Sequence, residues 1–591
     1  TGTVWGVAPL PDRGDGWRPT QLTLSPQAPL TAVTLRLVSA SPPSADNRWV
    51  AMLSRVDYLA DPAQQTEAER SQTERLRLGV TIILGLTLTV LLARYGAEMP
   101  LAAYGLLLFV LIAGVHLREN VFFYWDEWHV LQRYLEMGVR GTLYTHNEHF
   151  LPLFFLTYFI ESRLFGDAYQ SYLWVSFSIH CFNALLVTKL LERFGDNGTH
   201  TRTAARLLGA AFAVSALHAE ALHWAFEQSL LAAETATLLC LLAALRAVRD
   251  GRRRAFAGGA IACGVAPFFF GNGFSVPLQA AVIALFGGVV AADPAAERLL
   301  RARRALSYLA CCAAALALPA LLYSVFREGA GHGISQADPF GNMAALIDYL
   351  TVGIGLGTVL RGIGIFPALE PNAASAAASL LAEAVPAFSF VAANPAFRFS
   401  LLGLMIAGIL LLVGAALDRR SAAAREWSAG LLLCLSTLLL PALGRWSFGV
   451  EQSLSLRYHY AALPGLCLMV LPALRGILAL PASRVGKTIR AVVMLLFGLH
   501  LAAQLEVGAR FDYFTSQGEV HHAFVSRLTE WNTRRRQNGA PIPGYEMSGT
   551  PWEGLQPPYP QTLTPGRHPD DIARVLHWLH PERHPSLELS K

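Results

Sequence analysis

Residues 101–115, LAAYGLLLFVLIAGV, form an apolar run of fifteen residues without a charged side chain. Leu306–Val325 and Leu401–Leu417 are runs of the same kind, and all three approach the about 20 residues that an α-helix needs to cross a bilayer core. Of the 591 residues 53% are hydrophobic and only 15% are charged, whereas a soluble domain is about one-quarter charged. The sequence therefore predicts an all-α polytopic membrane protein.

Lysine and arginine are concentrated in five short connections between apolar runs, namely Lys189–Arg206, Arg246–Arg254, Arg298–Arg304, Arg419–Arg425 and Arg484–Arg490. Basic loops remain on the cytoplasmic side of a membrane, so we expect all five there. This assignment predicts about twelve transmembrane helices and places both termini outside the cytoplasm. The spans are predicted at 79–95, 101–118, 169–192, 205–225, 228–246, 255–272, 274–292, 305–326, 399–417, 427–443, 458–480 and 490–507. The Ala- and Arg-rich composition favours a bacterial inner membrane.

The chain divides by composition into a membrane domain and two flanking parts. Residues 1–62 alternate partly between apolar and polar positions and predict a small extracytoplasmic β unit, joined by a linker at 63–78. The membrane domain covers 79–507 and includes external loops 119–168 and 327–398. Within these loops we expect Leu151–Phe165 to form a helix in the membrane interface and Met343–Phe366 to be re-entrant or interfacial. Residues 508–591 predict an extracytoplasmic region of helices, among them "DDIARVLHWL", and Pro-rich loops.

Three groups of ionisable residues fall on the predicted outer side of the membrane. The first is Tyr124–Glu148, YWDEWHVLQRYLEMGVRGTLYTHNE, which contains Asp126, Glu127, His146 and Glu148. The second contains Glu220, His223 and Glu227, whose spacing predicts one face of a helix. The third contains Arg445, Arg457 and Tyr458. Ionisable groups at membrane depth are costly and usually face a cavity or one another, so we expect the three groups to converge.

This residue set fits acid–base chemistry beside an anion. A carboxylate can take a proton from a hydroxyl as that hydroxyl attacks. The guanidinium group of arginine stays charged and offers a planar fork of donors that suits phosphate. At the outer face of a membrane, this combination suggests transfer from a lipid phosphate to a hydroxylated acceptor.

The order of four motifs resembles the amino-terminal half of membrane-embedded GT-C glycosyltransferases. The motifs are "YWDEW", "HNEHFLPLFFLTYFIESRLFG", "SIHCFNALLVTKLL" and "LLGAAFAVSALHAEALHWAFEQSLL", which cover roughly 120–231, and a looser match follows at Gly444–Tyr458. The resemblance is greatest to protein O-mannosyltransferases that carry tetratricopeptide repeats and to bacterial aminoarabinose transferases. The chain departs from them in having Asp-Glu for Asp-Asp and "NEHFLPL" for the Arg-Pro-Leu form, and in lacking the repeats.

The resemblance implies a polyprenyl-phosphate-linked sugar as donor, an extracytoplasmic acceptor and an inverting displacement with Asp126 as the catalytic base. It also implies that Arg457 holds the lipid phosphate. Five further residues would line or brace the site: Glu127, His180, Asn183, His218 and Glu220. Because of the departures, neither the donor sugar nor the acceptor can be carried over.

Several of these residues have simpler interpretations. Asp126 could be a helix cap or part of an interfacial ion pair, and His180 and His218 could be structural histidines. Arg457 could extend to the interface as an ordinary arginine. His146, Glu148 and His149 could bind a divalent metal, could form a polar surface loop, or could leave Glu148 as a second site carboxylate. No cofactor is otherwise indicated.

A second class of function also fits the sequence. A non-catalytic membrane subunit would keep the helical bundle and bind partner proteins through residues 1–62 and 508–591. A transporter is less consistent, because we find no interrupted helices in matching halves of the chain. The small net charge of +5 is spread over the loops and does not indicate nucleic-acid binding. All seven cysteines lie in apolar segments and are expected to be small buried side chains.

Overall fold

A computed structural model of the chain describes residues 67–117, 121–124, 126–146, 149–195, 198–292, 295–326, 342–362, 421–446, 453–510 and 569–581. The chain divides into two compact units, residues 1–74 and 75–591, and nearly all described residues belong to the second. The predicted β unit at 1–62 and the predicted span at 399–417 lie outside the described residues. Helix α1, Glu67–Tyr95, begins within the predicted linker.

Helices account for nearly all of the described structure. After α1 follow α2 (Leu101–His116), α3 (Asp126–Met137), α4 (Pro152–Phe165), α5 (Tyr169–Phe194), α6 (Thr199–Ala213), α7 (Ala219–His223), α8 (Gln228–Asp250), α9 (Arg253–Val265), α10 (Val276–Ile283) and α11 (Ala295–Phe326). The remaining helices are α12 (Met343–Val352), α13 (Ala422–Arg445), α14 (Leu456–Tyr460), α15 (Leu463–Leu478), α16 (Arg484–Arg510) and α17 (Pro569–Leu579). Within the described residues the strands are β1 (Thr145–His146) and β2 (His149–Phe150), an antiparallel pair.

Seven helical segments are long and apolar enough to cross a membrane: Leu78–Tyr95, Tyr169–Phe194, Ala225–Asp250, Gly271–Val289, Ala295–Phe326, Ala422–Arg445 and Arg484–Ala509. Each coincides with a predicted span. An eighth predicted span, 205–225, corresponds to Thr199–Ala213 and Ala216–His223, which bend by 45° at their junction. The protein is thus an all-α polytopic membrane protein, as predicted.

The other predicted spans are shorter helices or lie outside the described residues. Those at 101–118 and 458–480 fall on α2 and α15, apolar helices of 16 residues each. The span at 255–272 falls on α9, which has 13 residues and continues into 3₁₀ turns. The count of twelve therefore stays a prediction. So does the re-entrant segment at Met343–Phe366, where α12 continues into a π-helix, Gly353–Leu360.

Helices α13 and α15 approach each other closely at two glycines. A Cβ atom on Gly430 of α13 would collide with the carbonyl oxygen of Gly465 on α15, and a Cβ atom on Gly465 would collide with the carbonyl oxygen of Gly430. Small residues allow this kind of close packing in membrane bundles. A different glycine, Gly166, ends α4 with a φ of 57°, which lets the chain turn directly into α5.

Helices α4 and α17 pack against each other. Helix α4 has 14 residues, too few to cross a bilayer, and its position in the membrane interface stays a prediction. Helix α17 confirms the helix expected from "DDIARVLHWL". The Arg163 guanidinium group of α4 donates a hydrogen bond of 3.3 Å to the carbonyl of Trp578 in α17 and lies 4.8 Å from its ring centroid. Part of the C-terminal region therefore contacts its own chain.

Candidate active site

The ionisable residues singled out in the sequence lie at one end of the bundle. Tyr169, whose hydroxyl donates to Glu127, begins α5, while Glu227 directly precedes α8 and Arg445 ends α13. The other ends of these three helices reach the Lys- and Arg-rich connections. The candidate site therefore lies at the end of the bundle opposite the basic connections, which the positive-inside rule predicts to be extracytoplasmic.

Asp126 stands at the start of α3, where the positive end of the helix dipole favours a carboxylate. Its Oδ1 lies 3.1 Å from Nε2 of His146 in β1, within ion-pair distance but without hydrogen-bond alignment. The Asp126 side chain is 18% exposed, and the His146 ring packs against Phe226 with centroids 5.4 Å apart. The structure thus contains the contact expected if Asp126 forms an ion pair, which was the alternative to a catalytic role.

Glu127 is fully buried behind Asp126 and surrounded by donors. The Tyr124 N–H donates to Oε2 at 2.6 Å, while the hydroxyls of Tyr158 and Tyr169 donate to Oε1 at 3.0 and 3.1 Å. The Phe226 N–H is a further donor to this carboxylate. Burial raises the pKa of the Glu127 carboxyl to about 8, although these hydrogen bonds favour the ionised form. Glu127 joins the start of α3 to α4, α5 and the turn before α8.

Arg457 of α14 brings together two buried carboxylates of the second group. Its backbone N–H donates to Glu220 Oε2 at 3.1 Å, and its Nε lies 3.8 Å from Oε1 of the same residue. Its Nη1 donates to Glu227 Oε1 at 3.3 Å. Glu220 and Glu227 are almost entirely buried, whereas the Arg457 side chain is 31% exposed. The carboxylates neutralise and orient a guanidinium group that still reaches the surface.

The first group and the arginines belong to one electrostatic cluster. Asp126 lies close enough to Glu227 for their negative charges to repel. His149 of β2 lies near both Arg445 and Arg457. Burial, reinforced by the positive charges of these arginines, lowers the pKa of His149 to about 4, so this imidazole is neutral at physiological pH. Asp126, the Glu220–Glu227–Arg457 group, His149 and Arg445 therefore lie in one region.

No family model and no curated protein match the chain. Among solved structures, it is similar to the archaeal oligosaccharyltransferase AglB from Archaeoglobus fulgidus, determined in complex with an inhibitory peptide and a dolichol-phosphate. The sequence identity is 14% and the TM-score is 0.40, over 81% of this chain. The chain spans 63% of the length of that protein. A likeness at this level assigns neither a family nor an activity.

Three predicted site residues instead form a separate buried network with Tyr460. The Tyr460 hydroxyl lies 2.8 Å from Nδ1 of His180 and accepts a hydrogen bond of 3.0 Å from Nδ2 of Asn183. The ring of His218 lies 4.5 Å from that of Tyr460. His180, Asn183 and His218 are fully buried. Since Tyr460 and Arg457 share the five-residue helix α14, this network braces the element that carries Arg457.

The predicted helical face of Glu220, His223 and Glu227 is wrong. Helix α7 ends at His223, Trp224 is extended with φ −118° and ψ 108°, and a 3₁₀ turn carries Glu227. The break still lets Glu220 and Glu227 meet at Arg457, but His223 contacts α2, where its Nε2 lies 3.1 Å from Nδ1 of His116. Tyr458 also points inward, because its side chain packs in an apolar cluster with Ile354 and Leu438.

Glu148 lies outside the described residues, so a divalent site at His146, Glu148 and His149 stays a prediction. Among the described residues, three side chains that could share an ion are Cys240, Cys263 and Cys312, far from these histidines in the sequence. Six cysteines are buried, as expected, and Cys311 is exposed.

Two residues of the cluster are not among the site residues predicted from the sequence. Glu227 belongs to the second ionisable group, and it binds Arg457 as closely as Glu220 does. His149 was considered only as a metal ligand, whereas it lies beside the arginines. Both residues lie in motifs that already contain predicted site residues: Glu227 follows Glu220, and His149 follows His146.

Proposed function

We propose that this protein is an integral-membrane glycosyltransferase of the GT-C type. It transfers a sugar from a polyprenyl-phosphate donor to a hydroxyl group of an extracytoplasmic protein or glycan. The observation that carries the proposal is that a partly exposed carboxylate, Asp126, and a partly exposed arginine, Arg457, both lie near Glu227 at the end of the bundle opposite the basic connections. A base and an anion site side by side are what such a transfer requires.

The reaction needs one bond to form and one to break. The acceptor oxygen attacks the anomeric carbon, the bond from that carbon to the phosphate oxygen breaks, and Asp126 takes the acceptor proton. The leaving polyprenyl phosphate gains one negative charge, which Arg457 and Arg445 stabilise. Direct attack from the face opposite the phosphate inverts the anomeric configuration.

The contacts of the three acidic groups favour Asp126 as the base. Glu127 is enclosed by donors and fully buried, so an acceptor cannot reach it. Glu220 and Glu227 are engaged with Arg457 and almost entirely buried. Asp126 is partly exposed and contacts His146, which can hold the carboxylate in position. Glu127 and Glu220 then act as bracing residues rather than as reacting groups.

Arg457 can still bind a phosphate because its two carboxylate partners do not occupy all of its N–H donors. Within the described residues, its Nη2 makes no hydrogen bond, and about one-third of the side chain is exposed. The two carboxylates hold the fork in one orientation, which lowers the entropy lost when a phosphate binds.

The test is Asp126→Asn in cells that lack the protein. Restored cells would be compared for surface glycans and glycoproteins by mass spectrometry, with equal protein levels verified by immunoblot. Glu98→Gln is the control, because Glu98 is an exposed carboxylate between α1 and α2, beside Met99, which contacts Arg206 of a basic connection. We expect wild-type glycosylation with Glu98→Gln and a loss of about 100-fold or more with Asp126→Asn. Glycosylation unchanged by Asp126→Asn would refute the proposed base.

The same experiment addresses the alternative of a non-catalytic membrane subunit. A subunit that only binds partners would support glycosylation in the Asp126→Asn variant, since the substitution keeps the shape of the side chain. Contacts of α17 with α4 show that part of the C-terminal region is used within the chain. Partner binding through residues 1–62 and 508–591 stays a prediction.

A further inference from the structure

A long groove of about 1570 Å³ runs between helices α5, α8 and α9, away from the candidate active site. Helix α8 forms its floor and the other two helices form its walls. The lining positions recur every three or four residues along each helix, as expected for one face: Phe182 and Leu186, Leu239 and Ala243, Ile261 and Val265. The groove is thus built from three continuous helical faces.

The greater part of the groove is apolar and accessible. Phe182 is 45% exposed, Leu239 is 42% exposed and Ile261 is 66% exposed, although all three lie on helices of the bundle. In a membrane protein such side chains contact lipid rather than water. From Ser178 to Arg193, α5 rises about 22 Å along the groove. This exceeds half of the about 30 Å hydrocarbon core, so one acyl chain fits lengthwise.

One end of the groove is strongly basic. Six lysines and arginines line it, against two acidic residues: Lys189, Arg193, Arg246, Arg249, Arg252 and Arg254, with Glu192 and Asp250. Lys189 binds Glu192 at 2.6 Å, Arg252 lies 3.6 Å from Asp250, and Arg249 donates to backbone carbonyls. The remaining cations therefore exceed the acidic groups available to them.

Three arginines at this end have guanidinium groups without a hydrogen bond or ion pair in the described part of the chain. They are Arg193, Arg246 and Arg254, one from each helix of the groove. Arg193 lies close enough to Arg246 and Arg252 for their charges to repel, and close enough to Asp250 and Glu192 to be attracted by them. An anion beside Arg193 and Arg246 would relieve the repulsion, and Arg254 lines the same end of the groove.

We propose that the groove binds an anionic phospholipid. Its phosphate lies among Arg193, Arg246 and Arg254, and an acyl chain follows the apolar faces of α5, α8 and α9. The basic end belongs to the connections that the positive-inside rule predicts to be cytoplasmic, so the lipid comes from the leaflet where anionic phospholipids meet basic helix ends. A free phosphate would leave the apolar part unused. The proposal does not depend on the proposed glycosyl transfer.

The test uses the purified full chain in detergent, mixed with equal amounts of phosphatidylglycerol and phosphatidylcholine, with bound lipid counted by native mass spectrometry. One variant, Arg193→Gln/Arg246→Gln/Arg254→Gln, removes the charges. A second, Gly258→Phe, fills the groove, because no atom lies within 4 Å of the Cβ position of Gly258. The two variants change different parts of the groove.

Each variant has a matched control outside the groove. Arg202→Gln/Arg303→Gln/Arg484→Gln removes three exposed arginines that do not line the groove. Gly114→Phe places the same ring on an exposed position of α2, where the Cβ position is equally open. Elution on size exclusion verifies that every variant is folded.

We expect the wild-type chain and both controls to retain phosphatidylglycerol over phosphatidylcholine. The triple groove variant should lose about tenfold or more of this preference. Gly258→Phe should lower the retention of phosphatidylglycerol by a similar factor. Equal retention of the two lipids by the wild-type chain would overturn the proposal. So would a Gly258→Phe variant that binds phosphatidylglycerol like Gly114→Phe, since the lipid would then lie outside the groove.

Discussion

The backbone N–H of Arg457 donates a hydrogen bond of 3.1 Å to Oε2 of Glu220, and the guanidinium group of Arg457 lies 3.8 Å from Oε1 of the same carboxylate. The two residues are 237 positions apart in the sequence. Their contact therefore joins the 45° bend after α6 to the short helix α14. Any role of Arg457 at the candidate site depends on this connection.

Arg457→Gln is expected to lower both stability and glycosyl transfer. Without the arginine, two nearly buried carboxylates face each other, and breaking such a pairing costs about 3 kcal/mol. Thermal unfolding in detergent measures the first effect and the surface-glycan assay the second. A structural and a substrate-binding role are separated by the double variant Glu220→Gln/Arg457→Gln.

In that double variant, removal of the Glu220 charge should recover a large part of the lost stability. Glycosyl transfer should stay at least tenfold below that of the Glu220→Gln single variant, because Arg445 alone is left to stabilise the departing phosphate. If transfer recovers together with stability, Arg457 is only a structural partner of Glu220.

His146→Gln is expected to reduce transfer by about tenfold through the position of Asp126. The imidazole Nε2 lies 3.1 Å from Asp126 Oδ1, and the glutamine cannot reproduce the ring packing on Phe226. In an Asp126→Asn background, the same substitution should have almost no further effect, since the residues act as a unit. His200→Gln, at an exposed position in the basic connection, is the control. Additive losses would show that His146 acts independently of Asp126.

The membrane helices could be predicted from the sequence because run length and charge decide them locally. Seven predicted spans coincide with helices of spanning length, and α17 was expected from "DDIARVLHWL". The break at Trp224 could not be predicted in this way. The segment from Glu220 to Glu227 has a helical pattern, but its extended residue lies between a contact of His223 with His116 and a contact of Glu227 with Arg457. Distant residues thus decide where the helix breaks.

Part of the candidate site could also be predicted from the sequence, because charge patterns predict on which side of the membrane each residue lies. The convergence of Asp126, Glu220 and Arg457 follows from the common side of the membrane predicted for all three. Which carboxylate is enclosed does not follow from topology, because Asp126 and Glu127 are adjacent in the sequence. Only the packing of Tyr158 and Tyr169 around Glu127 distinguishes them.

The stability of the fold is expected to fall between pH 4.5 and pH 8 through Glu127. Burial raises the pKa of its carboxyl to about 8 in the folded protein, whereas in the unfolded chain it ionises near 4.5. Folding therefore favours the protonated form. The stabilisation that protonated Glu127 gives the fold is fully present below pH 4.5, the pKa in the unfolded chain. It is lost as the pH rises to about 8, the pKa in the folded protein.

Glu127→Gln tests this pH dependence because the amide cannot ionise. The difference in melting temperature between the wild-type protein and the variant should decrease steadily from pH 5 to pH 8, measured by thermal unfolding in detergent. Taking the difference removes the contributions of other groups, such as His149, whose lowered pKa has the opposite effect on stability. A difference that is constant over this range would contradict a protonated Glu127.

The close packing of α13 and α15 is expected to tolerate no side chain at their crossing. A Cβ atom on Gly430 would meet the carbonyl oxygen of Gly465, which is backbone and cannot move aside cheaply. Overpacking of this kind costs about 1–3 kcal/mol, and more where both partners are backbone. Gly430→Leu should therefore lower the melting temperature strongly.

Gly476→Leu is the control for this prediction. It lies on an exposed part of α15 where nothing lies within 4 Å of the Cβ position, so it should not change the melting temperature. Because α15 directly follows α14, the displacement of α15 should also lower glycosyl transfer through Arg457. Equal melting temperatures for the two variants would show that the helices do not cross at these glycines.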